Sequence, residues 1–286
     1  MKQRSKLFKI AYSAVVSLAL LAALSSATYA WFSSNSIVNT DYVTSHTATD
    51  EVELLVSTHG GGGFDGKKEA AIGQVNKTST TQLMPVSTAD LKNFVTSAGT
   101  VDNQAIHFYK VENERYYYHG RIYLMAKADS SVEGRKLDLY LDGSEDNGGS
   151  FFKNAKGYIL NAARLGLTFD GSKPIIFRVT DEENPRDDRV SNTVLNGVPL
   201  NGKQVIDSSG TQMKAVTDPS VLLKDYLVGA GGRNTDKPLL TMELNRIYEV
   251  DIFFYVEGCD PDCSDVAQKS EVNFHLSFYG ILAEEG

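Results

Sequence analysis

The sequence predicts an all-β protein, a jelly-roll-like antiparallel β-sandwich with long loop insertions and few short helices. Three observations carry this. Apolar residues recur at every second position in stretch after stretch, which places alternate side chains on opposite faces of a strand. Clusters of Gly, Asn, Asp and Pro separate those stretches. No repeat of fixed period runs through the chain, which argues against a solenoid or propeller. An immunoglobulin-like sandwich is the alternative, but it usually needs fewer residues, and there is neither a Cys-Trp-Cys signature nor an internal Trp.

The chain opens with Lys2, Arg4, Lys6 and Lys9, an apolar run over 10–24, and a small-residue exit ending in Thr28-Tyr29-Ala30. Such a segment reads as a secretory signal peptide, residues 1–30, because the cations stay inside while the short helix enters the bilayer. The run breaks into Ser and Thr short of the about 20 apolar residues that span a membrane, so cleavage between Ala30 and Trp31 is expected, with a retained anchor as the alternative. The membrane is then met only in transit. Residues 31–45 are Ser/Thr/Asn-rich and β-competent, and residues 46–286 read as one sandwich domain. Residues 1–30 hold four of the 28 cations and none of the 36 acids, so the remainder carries 24 against 36, a net of -12. That acidity argues against a nucleic-acid partner.

Val52, Leu54 and Val56 alternate with Glu51 and Glu53 as a strand that the glycines at 60–63 stop. Residues 60–104 read as an insertion, with a short helix over 87–96 that Ser87 caps and in which Leu91, Phe94 and Val95 share a face. Ile106 and Phe108 open another strand, and Tyr118, Gly120, Ile122, Leu124, Ala126 and Ala128 keep one phase as a long central one. Leu137, Leu139 and Leu141 follow. Ala163, Leu165, Leu167 and Phe169 turn at Asp170-Gly171 and run back through Ile175, Phe177 and Val179 as a hairpin. Residues 181–238 form a second insertion, expected to carry short strands and one or two helical turns near 221–228. Tyr248 to Val256 and Val272 to Phe278 give the clearest alternation in the chain.

The aromatic-Ala-aromatic-aromatic group Tyr29-Ala30-Trp31-Phe32 across the expected cut, with the strand-forming residues 36–40 behind it, resembles the start of the TasA/camelysin family. These are secreted proteins of Gram-positive bacteria, processed by a SipW-type signal peptidase. The resemblance is strongest over residues 4–57 and returns in the paired strands at 248–280. It implies a jelly roll, a secreted or cell-surface location, and the signal peptidase as a partner. There is no Leu-Pro-x-Thr-Gly sorting motif near the end. The expected role is a secreted structural subunit of an extracellular fibre or biofilm matrix, joined to copies of itself or to related matrix subunits. Ile37, Val38 and Tyr42 would be donated as a strand to a neighbour's sheet edge, main-chain hydrogen bonds supplying affinity and alternate side chains supplying register. The competing reading pairs this segment within its own domain.

The family label also carries a metallopeptidase assignment, for which the residues give no support. The five histidines, at 46, 59, 107, 119 and 275, form no His-Glu-x-x-His pattern. There is no Gly-x-Ser-x-Gly elbow, and the glycines at 60–63 lack the Lys-Ser/Thr of a phosphate-binding loop. No catalytic residue is assigned, and the chain is not expected to be an enzyme. The one dense constellation is the acidic turn at 257–265, where Glu257, Asp260, Asp262 and Asp265 could offer oxygens to Ca²⁺, without EF-hand spacing; a plain Asp-Pro-Asp turn with solvated charges is the rival. Cys259 and Cys263, the only cysteines, are a candidate local disulfide. The aspartates and glutamates at 181–183 and 187–188 form a second acidic loop. A third reading, a glycan- or host-protein-binding module, rests on Tyr116-Tyr117-Tyr118 and the acidic loops.

Overall fold

A computed structural model describes residues 37–283 apart from 76–82, 97–104, 112–115, 133, 145–147, 157–158, 181–192, 195–203, 207–215, 230–236, 261 and 264–269. The signal peptide, the cleavage pair Ala30/Trp31 and the second acidic loop lie outside the described residues. The architecture is all-β, two mixed sheets in a sandwich-like arrangement with no closed barrel.

Eleven strands carry it: β1 (Ile37–Thr47), β2 (Val52–Ser57), β3 (Glu69–Ala71), β4 (Tyr118–Ala128), β5 (Lys136–Asp142), β6 (Phe151–Lys156), β7 (Ala163–Phe169), β8 (Ile175–Arg178), β9 (Leu240–Glu243), β10 (Ile247–Glu257) and β11 (Glu271–Leu282). In the first sheet β11 lies between β1 on one side and β5 and β6, which follow one another along its other edge. β3 flanks β1, and β9 flanks β5. The second sheet runs β8-β7-β10-β4-β2. The alternation read in the sequence builds the core between them: Leu137, Leu139, Leu141, Val272, Phe274, Leu276 and Phe278 meet Ile122, Leu124, Leu165, Leu167, Val250, Ile252 and Phe254, all at 1 % exposure or less. Phe274 of the first sheet and Phe254 of the second stack at 5.3 Å, which ties the layers directly.

Most pairings are antiparallel, but β1 departs from the expected pattern. It runs parallel to β11, Val38 opposite Val272 and Val43 opposite Leu276, with a register shift between Thr40 and Val43. The shift lets Val38 and Val43, five positions apart, both reach the core, at 6 % and 0 % exposure. The first core strand is therefore β1, and not β2 as the alternation suggested.

The insertions form a partial third layer. Residues 87–96 are not a helix. Thr88 Oγ1, and not Ser87, accepts the Leu91 N–H at 3.1 Å, Asp90 Oδ1 accepts those of Lys92 and Asn93, and the chain leaves as the short strand Val95–Thr96. Leu91 sits at φ 55°, a left-handed conformation in which a helix cannot continue. This fold places Val86, Leu91 and Phe94 on Ile176, Phe253 and Tyr255, a second apolar core on the outer face of the second sheet. The 181–238 excursion carries short strands and a 3₁₀ turn at Leu223–Tyr226, as expected for so long a connection. Among the described residues no helix is long and apolar enough to cross a membrane.

Candidate functional site: a buried charge cluster

Alternate residues of β10 line the outer face of the second sheet: Glu249, Asp251, Phe253, Tyr255 and Glu257. At one end the row is half-exposed and ionic. Asp251 Oδ1 accepts from His119 Nε2 at 2.9 Å and Arg121 Nε at 2.8 Å, and Arg121 Nη2 also reaches Glu249 at 3.0 Å. The His119 ring stacks on Phe253 at 4.2 Å. Burial opposes ionisation of Asp251, but the His119 and Arg121 bonds outweigh it and hold the carboxyl below its ordinary value.

At the other end the row passes under the insertions and becomes fully buried. Arg164 of β7 faces Tyr255, its cross-strand partner in β10, and Arg178 of β8 lies opposite on the same face. Every residue of β7 is buried, because one face meets the core and the other the third layer. Arg164, at 1 % exposure, donates from Nη2 to Asp260 Oδ2 at 2.8 Å and to Asp218 Oδ2 at 3.0 Å. Three segments distant in sequence are thereby stitched together: the start of β7, the 216–222 stretch of the 181–238 excursion, and the turn after β10. Ser87 adds the first insertion through a hydrogen bond to Glu257, whose Oε1 also accepts the Cys259 N–H at 3.0 Å.

The charges are unevenly served. Burial opposes the Arg164 cation, but Asp218 and Asp260, joined by Glu257 once it ionises, outweigh it and keep it protonated. Burial likewise works against ionised Asp218, and Arg164 and Ser220 overcome it, so that carboxyl is held low. Glu257 falls the other way: burial pushes it up to about 8, with Arg164 and the two hydrogen bonds only partly offsetting. At neutral pH it is a carboxylic acid. Glu257 Oε2, the Tyr255 hydroxyl, Arg164 Nε and Ser220 Oγ are buried without a hydrogen-bond partner. Burial and then Glu257 push the Tyr255 phenol up. Burial, Asp260 and Glu257 likewise raise the Cys263 thiol, which leaves it protonated and unreactive.

These facts revise the acidic-turn expectation. Glu257, Asp260 and Asp262 are buried, at 1, 9 and 5 % exposure, so the turn is not a set of solvated charges. Asp260 spends Oδ2 on Arg164 and Oδ1 on the Asp262 N–H. The cation at the turn is a guanidinium, and among the described residues no group of three or more His, Cys, Asp or Glu side chains is placed to hold a metal ion. Asp265 lies outside the described residues. Cys259 and Cys263 are not joined by a disulfide in this structure. Nothing in the alternation marks Arg164, because a position between the core residues of a strand ordinarily faces solvent. The signal that could have found it is the pairing of a lone cation in an apolar strand with an acidic turn that needs a counter-ion.

The donor-strand residues are distributed differently from expectation. Ile37 and Val38 pair with Glu271 and Val272 of the same chain, and Tyr42 with Ala71. Tyr42 is 44 % exposed, so Val43 and not Tyr42 supplies the second anchor. The tyrosine run is shared out: Tyr118 enters the main core, while Tyr116 and Tyr117 are half-buried on the second one, Tyr117 stacking on Phe94 at 3.9 Å. No protein family, curated protein or solved structure matches the chain.

Proposed function

We propose that the protein is a secreted structural subunit of an extracellular fibre or matrix, built by passing β1 from one copy into the sheet of the next. The observation that supports this is the pairing of β1 with β11. The first strand after the secretory leader lies in parallel register along the last strand of the fold, anchored in the core by Val38 and Val43. Only the 48–51 turn joins it to β2. An incoming β1 from a second copy makes the same ladder and fills the same two sockets, so closed and exchanged forms differ only in the hinge and in concentration. Reciprocal exchange gives a dimer, and one-way exchange gives an open chain of subunits. The resemblance of the leader and first strand to the TasA/camelysin family supports the same reading, as does the acidic composition after residue 30.

The test uses the chain from residue 31 onward, followed by electron microscopy and sedimentation. Fibres should lengthen with time and with concentration. A chain that begins after residue 47 should stay monomeric, and should be thermally stabilised by a synthetic peptide of residues 31–47. If the shortened chain still polymerises as the parent does, strand exchange is wrong.

A further inference from the structure

The buried cluster has more structure than a static tie requires. A simple ion pair between Arg164 and Asp260 would hold β7 to the turn. Instead two carboxylates share one nitrogen of the guanidinium, at 2.8 and 3.0 Å, and a third carboxyl, Glu257, is buried beside them with one oxygen unserved. We propose that the cluster is an alkaline-opening latch, in which ionisation of Glu257 adds a third negative charge around Arg164 and releases Asp218, freeing residues 216–222 from the second sheet.

The groups that face Glu257 decide the direction. From β7 comes Arg164, with Arg178 of β8 opposite it on the same face. The excursion contributes Asp218, the turn contributes Cys263, and β10 contributes Tyr255. Among its described residues the first insertion offers the Ser87 hydroxyl, which is neutral. Of the guanidinium groups on this face, Arg164 is the one that bonds to the cluster among the described residues. Glu257 stays protonated until about 8 because its surroundings favour the neutral acid. Once it ionises, it competes for Arg164 with the acids already there. Asp260 is fixed in place by its own turn, where Oδ1 holds the Asp262 N–H and the carbonyl accepts from Cys263. Asp218 is the more exposed of the two, its side chain at 11 % against 7 %. Beyond its Arg164 bond, its partner among the described residues is Ser220 of its own segment. It is the member that gives way. Its departure loosens the backbone from Val216–Thr217 to Val221–Leu222, the latter paired with β8 over two residues alone.

The experiment is hydrogen exchange by mass spectrometry on the chain from residue 31 onward, which contains every described element, at about pH 6 and about pH 9 after correction for intrinsic exchange. Protection of peptides covering 216–222 should fall on the order of tenfold at the higher pH, while β4 and β11 keep theirs. Glu257→Gln, an uncharged shape-mimic of the acid, should hold protection constant across the range. Asp218→Asn, which removes the released partner, should leave the segment weakly protected at both values. Unchanged protection in the parent chain, or an equal fall in Glu257→Gln, would overturn the latch.

Discussion

Arg164 donates to Asp260 across 2.8 Å and 96 positions of sequence, with 1 % of the arginine exposed. A buried pair of this kind is costly to break by halves, because removing one partner strands the other charge in the interior. Arg164→Leu should lower unfolding stability by about 3–5 kcal/mol, since Asp218 and Asp260 then lose their counter-ion. Adding Asp218→Asn and Asp260→Asn should restore part of that loss. Urea titration of the three proteins checks it; equal stability of Arg164→Leu and the parent would mean that the cluster contributes nothing.

Stability should peak in mildly acidic solution. Between about 4.5 and about 8 the folded chain keeps a proton on Glu257 that the unfolded chain has lost, so stability falls as pH rises through that window and levels off above it. The slope is at most about 1.4 kcal/mol per unit from this one group. Asp218 and Asp251 act in the opposite sense: both are held below the ordinary 3.8, so their contribution is present above that value and is lost as pH falls through the lowered ones. Thermal midpoints measured across the range should pass through a maximum between these two regimes. In Glu257→Gln the decline on the alkaline side should flatten.

The third layer rests on a close approach. A Cβ at Gly166 would lie 2.5 Å from Leu91 Cδ1, so any larger residue forces the Leu91 side chain to shift from its seat on β7. Gly166→Ala should cost about 1–3 kcal/mol by overpacking. Leu91→Ala destabilises on its own by opening the second core, but the double variant should lose less than the sum of the two, by about 1 kcal/mol. Strict additivity in chemical denaturation would show that the contact is not felt.

The two-sheet body was legible because its strands face water or a neighbouring layer on one side and the main core on the other, and Tyr118 to Ala128 or Val272 to Phe278 write that alternation directly into the chain. The same rule failed where a strand is covered twice. In β7 the positions between core residues are Arg164, Gly166 and Thr168, which look solvent-facing and are all buried under the insertions. Along β10 the outer row changes from Glu249 and Asp251 to Phe253 and Tyr255, and that change marks where the cover begins. Parallel pairing of the first and last strands left no trace either, because register between distant segments is set by which sockets Val38 and Val43 fill. Asp260 and its partner Asp218 lie in polar loops, and nothing local says that their shared counter-ion sits in a strand far upstream.

The register of β1 offers the most direct test of exchange. Ile37 and Glu271 are Cα partners at the start of the β1–β11 ladder. In a chain from residue 31 with Cys259 and Cys263 replaced by Ser, Ile37→Cys and Glu271→Cys should be joined by mild oxidation or a short dithiol-reactive linker. A closed monomer links within itself and runs as one band. Exchanged copies link to one another and give a ladder of multiples on a denaturing gel, its length growing with protein concentration during assembly. Val43→Asp should abolish the ladder, because it buries an unpaired carboxylate where a fully enclosed valine stood. Val43→Ala should only shorten it, having removed about 1.5–2 kcal/mol of apolar burial. Linkage confined to single chains at every concentration that yields fibres would show that the subunits join by some other surface, with β1 left in its own sheet.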